Sequence, residues 1–244
     1  MNIAELPPRR KARIAGVCYL MTIGIGTFDH IFVGGKLVVP SDAAATAHNL
    51  LESASTFRLA FALDMIPLYA VVTVLFYELF MPVNRSLSLL AAFVSLLGGA
   101  AGAAIGVFQL APLVVLGDTA TARTFSAEQQ QALAMAFLPL HQLGFTISLM
   151  FFGFYCFLLG WLIIASTFMS RLVGVLMAVG GLAYMTYSFT YFVSPSLAAS
   201  LSSWSLLFGA LGEIALTLWL LAVGLDESNW MELVARQSHM IANE

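Results

Sequence analysis

Six stretches of this chain run for about twenty residues or more with almost no charge, the length an α-helix needs to cross a bilayer. They are Ile14–Val33, Phe57–Phe80, Leu87–Leu113, Leu140–Ile164, Leu172–Phe192 and Trp204–Val223. Their apolarity is continuous, whereas a barrel strand alternates with a period of two, so the runs predict helices. Composition agrees. Of 244 residues, 60% are hydrophobic and only 9% are Asp, Glu, Lys or Arg. Typical soluble domains carry about 25% charge, so this chain could not cover a water-facing surface. A soluble enzyme, a disordered protein and a disulfide scaffold are excluded. Cys18 and Cys156 both sit inside apolar runs and read as packing residues.

The expected fold is therefore all-α and polytopic: residues 1–13 a basic cytoplasmic N-terminus, 14–224 a six-helix transmembrane domain, and 225–244 a polar cytoplasmic tail. The basic cluster at residues 9–13 could imitate a secretion signal. The apolar run behind it is too long, contains Asp29 and is followed by five more, which favours a retained span. Lys and Arg set the orientation. Arg9, Arg10, Lys11, Arg13, Arg85, Arg171 and Arg236 fall on one side, and Lys36, Arg58 and Arg123 on the other. The richer side is expected inside, giving N-in, C-in and a multi-pass protein of the cell inner (plasma) membrane. Short interfacial helices are expected on the outer side, within Ser41–Thr56 and from Ser126. There Ser126 and Gln129 form a capping box, and the chain should bend at Pro139. Gly98, Gly102 and Gly106 lie four apart and give the third helix a face for close backbone packing.

Several longer patterns occur in order. They are RRKARIAGVCYL (9–20), KLVVPSDAAATA (36–47), VNRSLSLLAAF (83–93), FSAEQ (125–129), FFGFYCFLLGWLI (151–163) and GEIALTLWL (212–220). Together they resemble the bacterial integral-membrane family called domain of unknown function 4386, over nearly the whole chain. The resemblance implies a multi-span bacterial membrane protein and brings no activity with it. Related sequences often carry His where this chain has Tyr155, so no metal or haem role transfers to that position.

An ionisable group at the bilayer centre costs on the order of 2.5–3.5 kcal/mol, which makes each one a functional candidate. The candidates are Asp29, His30, Asp64, His141, Gln142 and Glu213, with Gln109, Tyr184 and Tyr187 as weaker polar members. At about 1.5 Å per residue, Asp29 lies about 22 Å from the inner edge, Asp64 about 10 Å below the outer edge and Glu213 about 15 Å in. These groups are expected to gather in the outer half, with Asp64, Glu213 and His141 sharing one cavity. Pro67 and Pro139 would free helix carbonyls beside Asp64 and His141. Three functions fit. One is binding or transport of a small molecule, a proton or a cation. Another is a membrane enzyme using a metal or cofactor, with the carboxylates, His30 and His141 as ligands. The third is a partner-binding or lipid-packing protein without chemistry. Catalytic residues, cofactors, metal and oligomeric state stay unknown at this stage. No nucleic-acid partner is expected; the lipid bilayer is.

Overall fold

The computed structural model describes residues 6–64, 67–120 and 122–242. All regular structure among them is helical. The order is α1 (Pro8–Asp29), a π-helical segment (His30–Leu37), α2 (Ala43–Glu52), α3 (Ala54–Asp64), α4 (Leu68–Phe80), α5 (Arg85–Leu116), a 3₁₀ turn (Ala122–Thr124), α6 (Ala127–Ala165), α7 (Arg171–Val193), α8 (Pro195–Ala222) and α9 (Glu227–Ala242). Five stretches are long and apolar enough to cross a membrane: Ala54–Phe80, Arg85–Leu116, Ala127–Ala165, Arg171–Val193 and Pro195–Ala222. They make this a multi-pass membrane protein. Their lipid-type surface is plain in the exposure of Phe93, Leu97, Val107, Leu172, Val193 and Leu218. The first expected span, Ile14–Val33, is α1 followed by the π-helical segment, and it does not stand among those five. Four basic residues at its start and Asp29 at its end dilute its apolar run.

Side-chain caps fix several helix starts. Asp42 accepts from the Ala45 amide at 2.8 Å, and Asn84 accepts from the Leu87 amide at 2.9 Å. The Ser126–Gln129 box is formed in both directions, at 2.9 and 3.3 Å. The helix it opens differs from expectation. It runs through Pro139 without ending, as one 39-residue element, where the sequence suggested an interfacial helix turning into a span. Proline removes one donor, and the turns on either side are strong enough to carry the helix past it.

The chain forms two compact units. The first comprises 1–20, 68–99 and 148–244, and the second 21–67 and 100–147. In the second, Leu37, Leu50, Phe57, Ala60 and Leu113 make a buried apolar cluster. In the first, glycines bring helices together. A Cβ at Gly153 would stand 2.8 Å from the Gly181 carbonyl oxygen, and one at Gly160 2.6 Å from that of Gly174. Each pair is seven residues apart on its own helix, so α6 and α7 meet along one antiparallel glycine seam. The other side of α7 packs as closely on α8, where a Cβ at Gly212 would be 2.7 Å from the Leu176 oxygen. Gly98 belongs to the same kind of contact: an added Cβ would meet Phe151 at 2.9 Å, and the Ser148 hydroxyl donates to its carbonyl at 2.8 Å. Gly106 is buried and Gly102 half-buried.

Six helix ends meet at one end of the first unit. Lys11 of α1 pairs with Glu78 of α4 at 2.5 Å, and the Arg9 amide donates to Glu227 at 3.3 Å. Ser88, early in α5, donates to the Tyr77 carbonyl of α4. The connection after α6 meets the tail, since the Asp226 amide donates to the Phe168 carbonyl and Asn229 donates to Thr167. The Trp230 indole of α9 donates to the Leu79 carbonyl at 2.9 Å. Gly224, at φ 76, ends α8 beside the Arg9 side chain, where a Cβ would be strained as well as crowded.

Candidate functional site

Two groups of polar side chains stand out, one in each unit. Glu213 projects from α8 in the first unit and is half-buried. Its Oε1 accepts from the Tyr184 hydroxyl at 2.7 Å, and its Oε2 accepts from the Tyr19 hydroxyl at 3.3 Å. Both tyrosines are buried and come from different helices, α7 and α1. Gly209 makes this possible. It lies one turn before Glu213 on the same helix face, and the Tyr184 ring fills the space its missing side chain leaves. A Cβ there would fall 1.9 Å from Tyr184 Cζ.

Further aromatic groups close around this pair. Tyr69 packs edge-on to Tyr155, with ring centroids 6.0 Å apart, and Phe152 lies 5.7 Å from Tyr184. Cys156, buried, lies beside Tyr19. The Tyr155 hydroxyl is buried and has no hydrogen-bond partner among the described residues; the Tyr69 hydroxyl is buried beside Ser95. Glu213 forms no ion pair with Lys, Arg or His among the described residues. So α1, α4, α6, α7 and α8 surround one carboxylate with hydroxyls and rings rather than with a countercharge.

The second unit holds Asp29, Asp64, Gln109, His141 and Gln142. Gln109 is 3% exposed, and its amide donates to Asp29 at 2.7 Å. Asp29 stands within electrostatic reach of both Asp64 and His141. It also marks the place where α-helical geometry gives way to π-helical geometry, a change often found at functional sites. Asp64 is exposed at the end of α3, and His141 is half-buried in α6. Gln142 is exposed; its carbonyl accepts from Thr146. The His30 side chain lies outside the described residues. Among the described residues no group of three His, Cys, Asp or Glu side chains converges as a metal ion would require.

The structure thus brings Asp29, Gln109, Asp64 and His141 together in one unit and gives Glu213 a tyrosine shell in the other. Tyr187 belongs to neither shell; its ring lies against Tyr191, 6.1 Å between centroids. Sequence reading missed Tyr19, Tyr69, Tyr155 and Cys156, because tyrosine and cysteine cost little in an apolar run. The available signal was that a phenol in lipid must find a partner. It also missed Glu78 as the partner of Lys11 and the glycine pairs of α6 and α7, although their matched seven-residue spacings were readable.

Comparison with curated proteins and with solved structures finds no match. The pattern of the family described as "Domain of unknown function (DUF4386)" matches residues 14–224, and the chain belongs to that family.

Proposed function

We propose that this chain is a six-span protein of the bacterial inner (plasma) membrane that binds and moves a small cation or a proton. Acidic side chains of its spanning helices would carry it. The six-span, N-in, C-in topology is supported by the helix ends gathered in the first unit. The starts of α1, α5 and α7 and the ends of α4, α6 and α8 share one end, and an equal number of starts and ends requires an even number of crossings. Helix α1, 22 residues long, extends about 33 Å from there, enough to cross. Arg9, Arg10, Lys11, Arg13, Arg85 and Arg171 stand on these helix starts, and Arg236 on α9 packed beside them, which favours that end as cytoplasmic.

One observation carries the function. Gln109, itself buried, spends its donor on Asp29, while Asp64 stands within electrostatic reach of the same carboxylate. Two carboxylates within electrostatic reach of each other among apolar helices make a place that a cation or a proton would favour. The amide holds Asp29 in place, and His141 offers a titratable neighbour. The test is flux. In proteoliposomes under an imposed gradient, the wild type should move protons or a monovalent or divalent cation faster than empty vesicles. Asp29→Asn and Asp64→Asn should abolish that movement while helical content and elution volume stay unchanged. Wild-type vesicles indistinguishable from empty ones for protons, Na⁺, K⁺, Mg²⁺ and Ca²⁺ would refute the reading.

A further inference from the structure

Helix α1 carries Arg9, Arg10, Lys11 and Arg13 within its first six residues, and no acidic residue lies in its first turn. Two of these four charges are taken up inside the protein. Lys11 pairs with Glu78, and the Arg9 guanidinium donates to the Val223 carbonyl at 3.4 Å. Arg10 and Arg13 are exposed, and their guanidinium groups make no hydrogen bond or ion pair among the described residues. Other exposed arginines do meet a carboxylate of the chain, Arg123 with Asp118 and Arg236 with Glu232. Residues three apart on a helix are neighbours, with Cβ atoms about 5–6 Å apart, and like charges so placed repel. An anion seated between Arg10 and Arg13 removes that repulsion.

The same face continues as apolar surface. Steps of three, four and three residues lead from Arg10 to Arg13, Val17 and Leu20, which keeps all four on one side of the helix. Val17 is 49% exposed and Leu20 50%. The opposite side, with Lys11, Ala12, Ala15, Gly16 and Tyr19, is buried. It packs on α4 and α8, both within apolar stretches long enough to cross a membrane: the Tyr19 ring lies 6.2 Å from Phe76, and a Cβ at Gly16 would meet Leu220 at 3.0 Å. Two guanidinium groups thus stand at the head of an outward apolar ridge, which runs about 10 Å along the helix from Arg13 to Leu20. A free phosphate would use the guanidinium groups alone. A lipid uses both parts, its phosphate meeting the two planar donors and its acyl chain the ridge. A zwitterionic headgroup brings its own cation beside the phosphate, whereas an anionic one leaves its whole charge for the arginines. We propose that this face of α1 binds an anionic phospholipid, with the phosphate held between Arg10 and Arg13 and an acyl chain along Val17 and Leu20. The site lies within the first unit and needs only these three turns of α1 to stand against α4 and α8. It is therefore independent of the cation reading and of the number of crossings, which flux and cysteine labelling test.

The experiment uses the full chain in a neutral detergent at constant ionic strength, with Tm followed as lipid is added. Dioleoyl phosphatidylglycerol should raise Tm in a saturable way, and at lower concentration than dioleoyl phosphatidylethanolamine. Inorganic phosphate at the same concentrations should not raise it. Arg13→Gln should increase the half-saturating concentration of phosphatidylglycerol about fivefold, and Arg10→Gln combined with Arg13→Gln about thirtyfold, at about 1 kcal/mol for each arginine. Arg85→Gln combined with Arg171→Gln removes the same charge from the starts of α5 and α7 and should leave that concentration nearly unchanged. Equal responses to the two lipids, an equal effect of inorganic phosphate, or an equal shift in the two double variants would overturn the proposal.

Discussion

Gly209→Ala isolates the contact that aims Tyr184 at Glu213. The new Cβ would lie 1.9 Å from Tyr184 Cζ, 2.2 Å from its hydroxyl oxygen and 2.4 Å from Cε1. Carbon atoms settle at about 3.5 Å or more, so the ring must retreat by about 1.6 Å. A hydroxyl displaced that far cannot hold its 2.7 Å bond to Glu213. Forced repacking of this kind costs about 1–3 kcal/mol. A hydrogen bond between membrane helices adds about 0.6–1.7 kcal/mol. The expected loss is therefore about 2–5 kcal/mol, read by reversible unfolding in mixed micelles with increasing SDS. The decisive measurement repeats the substitution in a Tyr184→Ala background, where the obstructing ring is gone. There Gly209→Ala should cost almost nothing. Equal costs in the two backgrounds, within about 0.5 kcal/mol, would show that the contact does not set the energy and would refute the reasoning.

Two further outcomes follow. Single cysteines introduced at Ser41 and Ser170 should react differently with an impermeant maleimide in intact cells, with position 41 labelled and position 170 protected; labelling at 170 would overturn the N-in topology. The Asp226 carboxyl is held below its ordinary range by the Ser228 hydroxyl and the Asn229 amide, which it accepts at 2.5 and 3.2 Å at the start of α9. Its folded value is depressed, so the stability it gives α9 is present above the ordinary carboxylate range and fades as pH falls through the lowered value. Protection of α9 amides from hydrogen exchange, taken relative to the unstructured rate at each pH, should fall at acid pH in the wild type and be low at every pH in Asp226→Ala; identical profiles would remove the cap from the account.

Much of the fold was readable because burial in lipid leaves long apolar runs, and caps leave short polar signatures. The Ser126–Gln129 box and the long apolar helices came from such local signals. What could not be read was pairing. Tyr19 and Tyr184 lie 165 residues apart, yet both donate to one carboxylate. No local pattern announces that, since each tyrosine looks apolar where it stands. The glycines show the same limit from the other direction. Spacing of four singled out Gly98, Gly102 and Gly106, whereas the tight seam between α6 and α7 is built on spacing of seven. Periodicity shows which residues share a face but not which face meets which.

Lys11 and Glu213 together sharpen what the polar groups are for. The chain is able to neutralise a carboxylate with its own cation. Glu78 stands near the end of α4, and the long Lys11 side chain, 6% exposed, reaches it at 2.5 Å. The pair is largely buried, and it ties the start of α1 to the end of α4. In α8 no lysine, arginine or histidine pairs with Glu213 among the described residues. Glu213 instead receives two phenols, which stabilise a negative charge without cancelling it. A charge stabilised but not cancelled can accept a proton or a cation and release it again, whereas a carboxylate locked to lysine cannot. In the first unit, then, phenols hold one carboxylate, and an ion pair holds another and ties α1 to α4.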